Sequence, residues 1–301
     1  MRITVQSGGL DENFGEFKAF EMIAQAGFEG VDLNLDNRTP AAQVKMGIKS
    51  EFYGQSIQDL ERIADRYLAA AEKHGLVITQ AHAPFPPRTG DEDMEAYVLD
   101  AIKKSIMMCG RMHCKYLVVH PGCLEYSKRT DPQEEWDWNI RMYTSLIPDL
   151  KKHGVICCLE NMFSRHRGRI MEGPCATARE ANRYIDTLNE IAGEKLFAFC
   201  LDTGHAVLVG NDLAQFVREL GDRLVALHVH DNDGLNDEHL IPYMGITPWK
   251  RFLDALKETG YAHDLNFETF NAIETFDKAL APDVLKLAKA TAESFRKKVV
   301  G

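Results

Sequence analysis

Short apolar segments recur along the chain, and each is followed by polar residues and then by a longer segment whose apolar positions have helical spacing. The apolar segments lie at 2–5, 30–35, 76–82, 115–120, 155–159, 196–201, 224–227 and 265–267. Segments of this length, bounded by glycine or polar residues, are typical of strands that are buried on both faces of a parallel sheet. The pattern therefore predicts eight parallel strands.

The segments between the strands predict helices, and many of them stop at a glycine, the common C-terminal cap. The predicted helices lie at 14–26, 57–74, 94–112, 132–153, 176–192, 212–220, 248–259 and 283–298. A polar, basic loop is predicted between Glu160 and the helix at 176. Eight consecutive strand–helix units are the pattern of a closed α/β barrel. Because no linker or break in composition interrupts residues 1–301, we expect a single domain with the (β/α)8 fold, a TIM barrel.

Charge and cysteine content narrow the functional classes. The 35 lysines and arginines against 45 acidic residues give a formal net charge of −10, which disfavours broad contact with nucleic acid or anionic membranes. The first residues lack the apolar segment of a signal peptide, and no segment approaches transmembrane length. The seven cysteines form no CxxC pair, which is typical of reduced thiols. These features predict a cytoplasmic protein without a membrane partner, and they leave open a homo-oligomer.

Acidic residues and histidines stand at the ends of six predicted strands. They are His82, His120, Glu160, Asp202, His228 and Glu268. Closure of a barrel brings the carboxyl ends of all its strands to one mouth, where enzymes with this fold hold their active sites. Each residue alone has a simpler explanation, because a single histidine is often structural and Asp202 is placed to cap the next helix.

Together, the carboxylates require a different explanation. Three carboxylates that converge in a partly desolvated mouth lose hydration and repel one another, at a cost of roughly several kcal/mol per buried ion. A bound cation offsets that cost. Three carboxylates with the imidazole of His228 form a mixed oxygen and nitrogen donor set that suits Mn²⁺, Zn²⁺, Co²⁺ or Fe²⁺. We therefore expect one divalent metal ion at the mouth.

Six motifs at the strand ends carry a family resemblance. They are His82-Ala-Pro-Phe85, His120-Pro-Gly122, Leu159-Glu160-Asn161, Leu201-Asp202-Thr-Gly-His205, Leu227-His228-Val-His-Asp231 and Asn266-Phe-Glu268-Thr269. In combination they resemble the sugar phosphate isomerase/epimerase superfamily, whose members share a xylose isomerase-like TIM barrel. That superfamily includes inosose isomerases, ketose 3-epimerases and endonuclease-IV-type nucleases. The resemblance extends over nearly the whole chain.

The resemblance implies an enzyme that isomerises or epimerises a keto sugar, a sugar phosphate or a cyclitol ketone, by proton transfer through a metal-bound enediolate. One divalent ion (Mn²⁺, Zn²⁺, Co²⁺ or Mg²⁺) is expected on Glu160, Asp202, His228 and Glu268. The two glutamates, Glu160 and Glu268, are the expected catalytic groups. The expected substrate-binding residues are His82, His120, His205, Arg165 and His239. The expected partner is a small sugar.

Arg165 belongs to a basic segment, 165–169, that follows the fifth predicted strand. The planar fork of arginine suits a phosphate or carboxylate of the substrate. A solvated loop is the simpler explanation of the same segment. Phe85 and Arg38 lie on predicted mouth loops and are candidates for shaping specificity.

The nuclease branch supplies the alternative function, a zinc-dependent abasic-site phosphodiesterase. His82, His120, His205, Asp237 and His239 match, residue by residue, the further ligands of the nucleases' three-zinc cluster, so a second metal site that involves His120, Asp237 and His239 is also implied. The segment 240–245 lacks the second glycine usual in the nucleases. The net negative charge of the chain also disfavours binding to nucleic acid. A barrel that binds a sugar without catalysis is a third class, but it would need broken metal ligands, and they are intact.

Overall fold

The computed structural model describes residues 1–124 and 131–301, and in this part of the chain the eight predicted strands form one parallel sheet. In chain order, strands one to eight are Ile3–Gln6, Gly30–Asn34, Val77–His82, Tyr116–Val119, Ile156–Glu160, Phe197–Asp202, Leu224–His228 and Leu265–Phe267. Strands one to seven pair in sequence order, and strand one also pairs with strand eight, where Thr4 lies opposite Asn266.

Strands seven and eight close the sheet through Val229. The amide of Val229 donates to the carbonyl of Asn266 at 2.9 Å, and its carbonyl accepts from the amide of Glu268 at 3.1 Å. The sheet is therefore a barrel, and the predicted (β/α)8 fold is confirmed.

Helices surround the barrel and bury one apolar face each against it. The longer ones are Glu16–Gln25, Ile57–His74, Glu92–Arg111, Pro132–Thr144, Ile147–His153, Ala178–Ala192, Leu213–Leu220, Trp249–Glu258 and Ala281–Val300. Short helices at Asp11–Phe14, Ala41–Lys45, Glu51–Gly54, Thr203–Leu208 and Phe270–Glu274 lie between them. None of the helices in the described ranges is both long and apolar enough to cross a bilayer.

Two predicted helices are interrupted. The helix predicted at 132–153 is divided before Ile147–His153, which carries Pro148 in its first turn. Proline lacks the amide proton that a continuing helix needs, so it suits the start of a helix and not its interior. The helix predicted from residue 14 begins earlier, at Asp11, and breaks at Gly15, whose φ of 76° a helix cannot accommodate.

The basic loop predicted after Glu160 is instead an antiparallel hairpin of Phe163–His166 and Arg169–Glu172. Its two central turn residues, Arg167 and Gly168, both have positive φ, at 50° and 79°. Positive φ at both positions defines the type I′ turn that suits the twist of a hairpin. The prediction of an irregular loop is wrong because this turn lacks the Asn-Gly or Asp-Gly pair that usually marks a hairpin.

Small side chains fill the inside of the barrel along strands four to seven. They form one buried cluster of Val118, Cys158, Ala198, Cys200 and Ala226, separate from the larger core between sheet and helices. Within residues 1–124 and 131–301, which contain all seven cysteines, no disulfide is formed, and six of the cysteines are buried. The thiols therefore serve as small apolar residues, in line with the predicted reduced state.

Candidate metal and catalytic site

One polar residue from the end of each strand forms a ring inside the barrel mouth. The ring is Gln6, Asn34, His82, His120, Glu160, Asp202, His228 and Glu268, and every member is buried. Side chains alternate between the two faces of a strand, so residues two apart share a face. Glu160, Asp202 and His228 lie two residues beyond Cys158, Cys200 and Ala226, which fill the barrel interior. The alternation therefore directs the predicted site residues inward and towards one another.

The Nδ1 atom of His228 lies at the centre of the three predicted metal-binding carboxylates. It is 3.3 Å from Oε2 of Glu268, 3.5 Å from Oε2 of Glu160 and 4.0 Å from Oδ2 of Asp202. Donor atoms placed 2.0–2.2 Å from one tetrahedral ion are about 3.4 Å from each other. Donor atoms of Asp202, His228 and Glu268 all lie within 4.8 Å of one another, and so do donor atoms of His82, Glu160 and His228, so the spacing at His228 fits a divalent metal ion.

Unpaired polar atoms support the same fit. Within residues 1–124 and 131–301, the Nδ1 of His228 and the Oε2 atoms of Glu160 and Glu268 have no hydrogen-bond partner, although all three are buried. Buried polar atoms nearly always have a partner in a folded protein. Three buried donor atoms that face one point without a hydrogen-bond partner fit the ligands of a cation, and the set of oxygen and nitrogen suits Mn²⁺, Zn²⁺ or Co²⁺.

The two glutamates of this group have opposite pKa shifts. Burial would raise the pKa of Glu160, but the imidazoles of His228 and His120 outweigh it and hold the pKa well below its usual range. Burial raises the pKa of Glu268 well above its usual range, and the charges of Asp202 and Glu160 add to the rise against the opposing effect of His228. A cation beside Glu268 would oppose the rise in its pKa and favour its charged form.

Asp32, on strand two, lies beside the Nε2 atom of His228, on the side of the ring that faces the barrel interior rather than the mouth. Its Oδ2 lies 3.4 Å from Nε2 of His228, on the side of the ring away from Glu160. The same oxygen accepts hydrogen bonds from the side-chain amides of Gln80 at 2.9 Å and Asn266 at 2.8 Å. A carboxylate behind a metal-binding histidine fixes the ring and its tautomer. The sequence analysis did not identify Asp32, although its place among apolar residues of a buried strand is a signal.

Gln6, on strand one, holds the other end of Glu268. Its Nε2 donates to Oε1 of Glu268 at 2.7 Å, which leaves Oε2 directed at His228. The sequence analysis also missed Gln6, which nothing in the local pattern of strand one distinguishes.

Asp202 has two supports, one predicted and one not. Its Oδ1 accepts from the backbone amide of His205 at 2.6 Å, so the residue caps helix Thr203–Leu208 as its position suggested. Its Oδ2 lies 2.9 Å from Nε2 of His230, a fully buried residue that the sequence analysis quoted in a motif but gave no role. Capping and the histidine together fix the carboxylate beside His228.

Gly204 is required because the ring of His230 lies against it. A Cβ at residue 204 would lie 2.0 Å from Cε1 of His230. We expect Gly204→Ala to displace His230 and Asp202, to destabilise the protein by about 1–3 kcal/mol as overpacking does, and to weaken metal binding. Chemical denaturation and metal titration measure the two effects. Gly54→Ala, in the helix Glu51–Gly54 with open space around it, is the control, and equal metal affinity in both variants would contradict this role.

His82 and His120 meet on one side of Glu160. Their Nε2 atoms are 3.0 Å apart, and Oε2 of Glu160 lies 3.6 Å from the first and 3.2 Å from the second. Both histidines are buried and line the cavity at the mouth. They can donate to a substrate oxygen or bind a second cation.

His205, Asp237 and His239 meet on the other side. Oδ2 of Asp237 is 3.3 Å from Nε2 of His205 and 3.2 Å from Nε2 of His239. The contacts therefore place His120 with His82, and Asp237 and His239 with His205. The second site expected from His120, Asp237 and His239 divides between two groups, because these residues come from different sides of the mouth.

A cavity of about 630 Å³ opens above the ring. The predicted site residues that line it are His82, His120, Glu160, Arg165, His205, His239 and Glu268. Asp202 and His228 lie beneath them, fully buried. Arg165 is at the rim, where its Nη2 donates to the carbonyl of Leu235 at 2.8 Å. Arg38 is turned away from the cavity and contacts Asp11 and Tyr67.

Known proteins share the fold of this chain. The model of the xylose isomerase-like TIM barrel family matches residues 20–297. An uncharacterised protein of Methanocaldococcus jannaschii is 28% identical over 223 residues, which cover 72% of this chain and 70% of that protein. The fructoselysine 3-epimerase of Shigella flexneri is 25% identical over 181 residues, which cover 59% of this chain and 60% of the epimerase.

Solved structures show the same fold. The crystal structure of the IolI protein with a bound zinc atom superposes with a TM-score of 0.73 and 18% identity, and the match covers 99% of both chains. The family resemblance of the six strand-end motifs is thus confirmed. Since the family model matches residues 20–297, nearly the whole chain, this protein belongs to the xylose isomerase-like TIM barrel family.

Proposed function

We propose that the protein is a divalent-metal-dependent isomerase or epimerase of a keto sugar, a sugar phosphate or a cyclitol ketone. Glu160, Asp202, His228 and Glu268 hold the metal ion in this proposal. Glu160 and Glu268 move the proton, and His82, His120, His205, Arg165 and His239 contact the substrate. The epimerase among its relatives and the zinc-bound structure of the same fold support the proposal. We also propose that residues 1–301 act as one barrel domain.

The placement of the two glutamates carries the proposal. Glu160 and Glu268 lie on two sides of His228, each with its Oε2 directed at Nδ1 of that histidine, and both line the cavity. Their other oxygens are held elsewhere, by Gln6 for Glu268 and 3.2 Å from Nδ1 of His205 for Glu160. Two carboxylates that face one cavity from different sides can act on two faces of one carbon atom.

Proton transfer next to a carbonyl needs a base, an acid and a means of stabilising negative charge. One glutamate takes the proton from the carbon, and the other returns a proton on the opposite face. A positioned acid or base contributes about 10²–10⁴-fold in rate. A divalent ion supplies the positive charge that stabilises the negative oxygen atoms of the substrate, a contribution of several kcal/mol. The histidines around the cavity bind and orient the substrate hydroxyl groups.

Deuterium exchange tests the proposal. The protein loaded with Mn²⁺ is incubated in D₂O with D-fructose, D-tagatose, D-psicose and scyllo-inosose, and deuterium next to the carbonyl is measured by NMR. We expect exchange into at least one ketone, and its loss after chelation. Exchange that survives chelation would refute the proposal. So would the absence of exchange in every ketone tested, including ketoses that are joined to a phosphate or to a second sugar.

The two flanking groups of histidines favour a second candidate, a zinc-dependent phosphodiesterase. His82 and His120 beside Glu160, and His205 and His239 beside Asp237, have the donor spacing of two further metal sites. Sites with several metal ions act as clamps on the attacking and leaving oxygens of a phosphodiester. An abasic-site duplex incubated with the zinc-loaded protein tests this candidate directly.

His239→Ala separates the two candidates. If one metal ion suffices, the variant keeps its metal content and loses at most about tenfold in ketone exchange, because only a substrate contact is removed. If a cluster is needed, the variant loses one metal ion per chain, and phosphodiesterase activity falls by orders of magnitude. Metal content is measured by mass spectrometry on the purified proteins. His263→Ala, which changes a half-buried histidine beside Tyr116 rather than one in the mouth, is the matched control.

A further inference from the structure

Three phenylalanines form a collar around the upper part of the cavity. They are Phe85, Phe163 and Phe270, which follow strands three, five and eight. Each packs one ring against a histidine of the site: Phe85 lies 4.4 Å from His120, Phe163 lies 5.0 Å from His205, and Phe270 lies 4.4 Å from His239, as measured between ring centroids. All three rings are half-buried, so part of each faces the cavity.

The collar is held in place by the fold. Phe163 begins the hairpin and pairs with Glu172, and the guanidinium of Arg165 lies 5.8 Å from its ring while it donates to Leu235 across the mouth. Phe270 begins helix Phe270–Glu274, directly after Glu268 and Thr269. The rings are therefore features of the cavity before any ligand binds.

The cavity has a polar floor and an apolar upper wall. The floor is made of the buried acids, amides and histidines at the strand ends. The wall above it contains the apolar residues Phe85, Pro86, Leu124, Met162, Phe163 and Phe270, with the polar side chains of Lys45, Arg88, Thr89, Ser164 and Arg165 among them. A single hexose that reaches the floor presents hydroxyl groups on all sides and leaves most of this apolar surface exposed to water.

The size of the cavity indicates a larger ligand. Cavities of about 300–1,000 Å³ enclose ligands of drug-like size, and 630 Å³ lies in the middle of that range. A second sugar ring has apolar C–H faces that pack well on the flat faces of aromatic rings, and burial of both surfaces removes them from water.

We propose that the substrate is a keto sugar joined to a second ring, as in a ketose disaccharide or glycoside. The keto sugar lies on the polar floor, and the second ring packs on the Phe85, Phe163 and Phe270 collar. This inference rests on the proposed isomerase or epimerase function, and it names the substrate class and the residues that select it.

A comparison of exchange rates between related ketones tests the inference. The Mn²⁺-loaded protein is incubated in D₂O with D-fructose, with the fructose disaccharides lactulose and isomaltulose, with D-fructose 6-phosphate and with scyllo-inosose. We expect kcat/KM for deuterium exchange to be at least tenfold higher for one disaccharide than for D-fructose, which corresponds to 1.4 kcal/mol.

Variants of the three phenylalanines test whether the collar causes the preference for a disaccharide over D-fructose. Phe85→Leu, Phe163→Leu and Phe270→Leu keep an apolar side chain and remove the flat face, so we expect each to lower the ratio of disaccharide to fructose exchange at least threefold. Phe276→Leu is the control, since Phe276 is exposed and does not line the cavity. A reduced ratio in that control equal to that of the collar variants would overturn the assignment.

The outcomes separate this inference from the function on which it rests. No exchange in any of the five ketones contradicts the proposed function itself. Exchange that favours D-fructose, its 6-phosphate or scyllo-inosose over both disaccharides leaves the function standing and overturns the inference. Equal thermal midpoints of the variants and the wild-type protein show that a changed ratio does not come from unfolding.

Discussion

Glu268→Gln should reduce the rate of deuterium exchange by about 10²–10⁴-fold, the usual contribution of a positioned acid or base. The amide has nearly the same shape, so it can still accept the hydrogen bond from Gln6 that holds Oε1 at 2.7 Å. A neutral amide cannot take a proton from the substrate carbon or return one to it. It also removes one negative charge from the group around His228, so we expect weaker metal binding.

Metal content must be measured together with the rate, because loss of the ion alone could stop the reaction. The variant is assayed at metal concentrations that saturate it, as judged by titration. Glu274→Gln is the matched control, because this glutamate ends the helix Phe270–Glu274, outside the ring, and is exposed. An exchange rate within a few-fold of wild type in the saturated Glu268→Gln protein would rule out its catalytic role.

Six of the eight ring residues could be predicted because a barrel obeys two simple periodicities. Each strand is a short apolar segment, and each is followed by a helix, so the fold can be recognised from local sequence. The alternation of side chains then fixes which residues point inward, and Glu160, Asp202 and His228 share the face of Cys158, Cys200 and Ala226. The ends of the strands therefore reveal the site without knowledge of distant contacts.

The residues that support the site were not predictable in the same way. Asp32 contacts His228 and Asn266, and Gln6 contacts Glu268, across more than 190 positions of sequence. These contacts depend on which residues of the first two strands face the last two when the barrel closes, and local pattern does not specify that register. His230 is similar, since its role depends on the close approach that Gly204 permits.

The collar was predicted only in part. Phe85 comes three residues after His82 in a proline-rich segment. The end of the third predicted strand was enough to predict that it lies on a loop at the mouth. Phe163 belongs to a hairpin whose turn residues, Arg167 and Gly168, give no strong sequence signal. Phe270 packs on His239, which is 31 positions away in the sequence. This contact could not be predicted from local sequence, because only the folded barrel brings the two segments together.

Removal of the metal ion should lower the stability of the protein as well as its activity. A ligand that binds only the folded state stabilises it by about 2.7 kcal/mol at 100 times its Kd, and by about 4.1 kcal/mol at 1,000 times its Kd. We therefore expect excess chelator to lower the free energy of unfolding by about 3–4 kcal/mol relative to the metal-saturated protein. Denaturation with and without chelator measures the difference.

His228→Gln shows whether this stabilisation comes from the proposed site. His228 supplies the one nitrogen among the four donors, and its Nδ1 is the atom on which the carboxylates converge. The glutamine variant should therefore have nearly the same stability in metal and in chelator, whereas His263→Gln, outside the mouth, should keep the full difference. If His228→Gln keeps half or more of the metal-dependent stability, the ion is held mainly by other residues. The flanking groups of His82 with His120 and of His205 with His239 would then be the sites that fill, since they have donor spacing of their own and do not depend on His228.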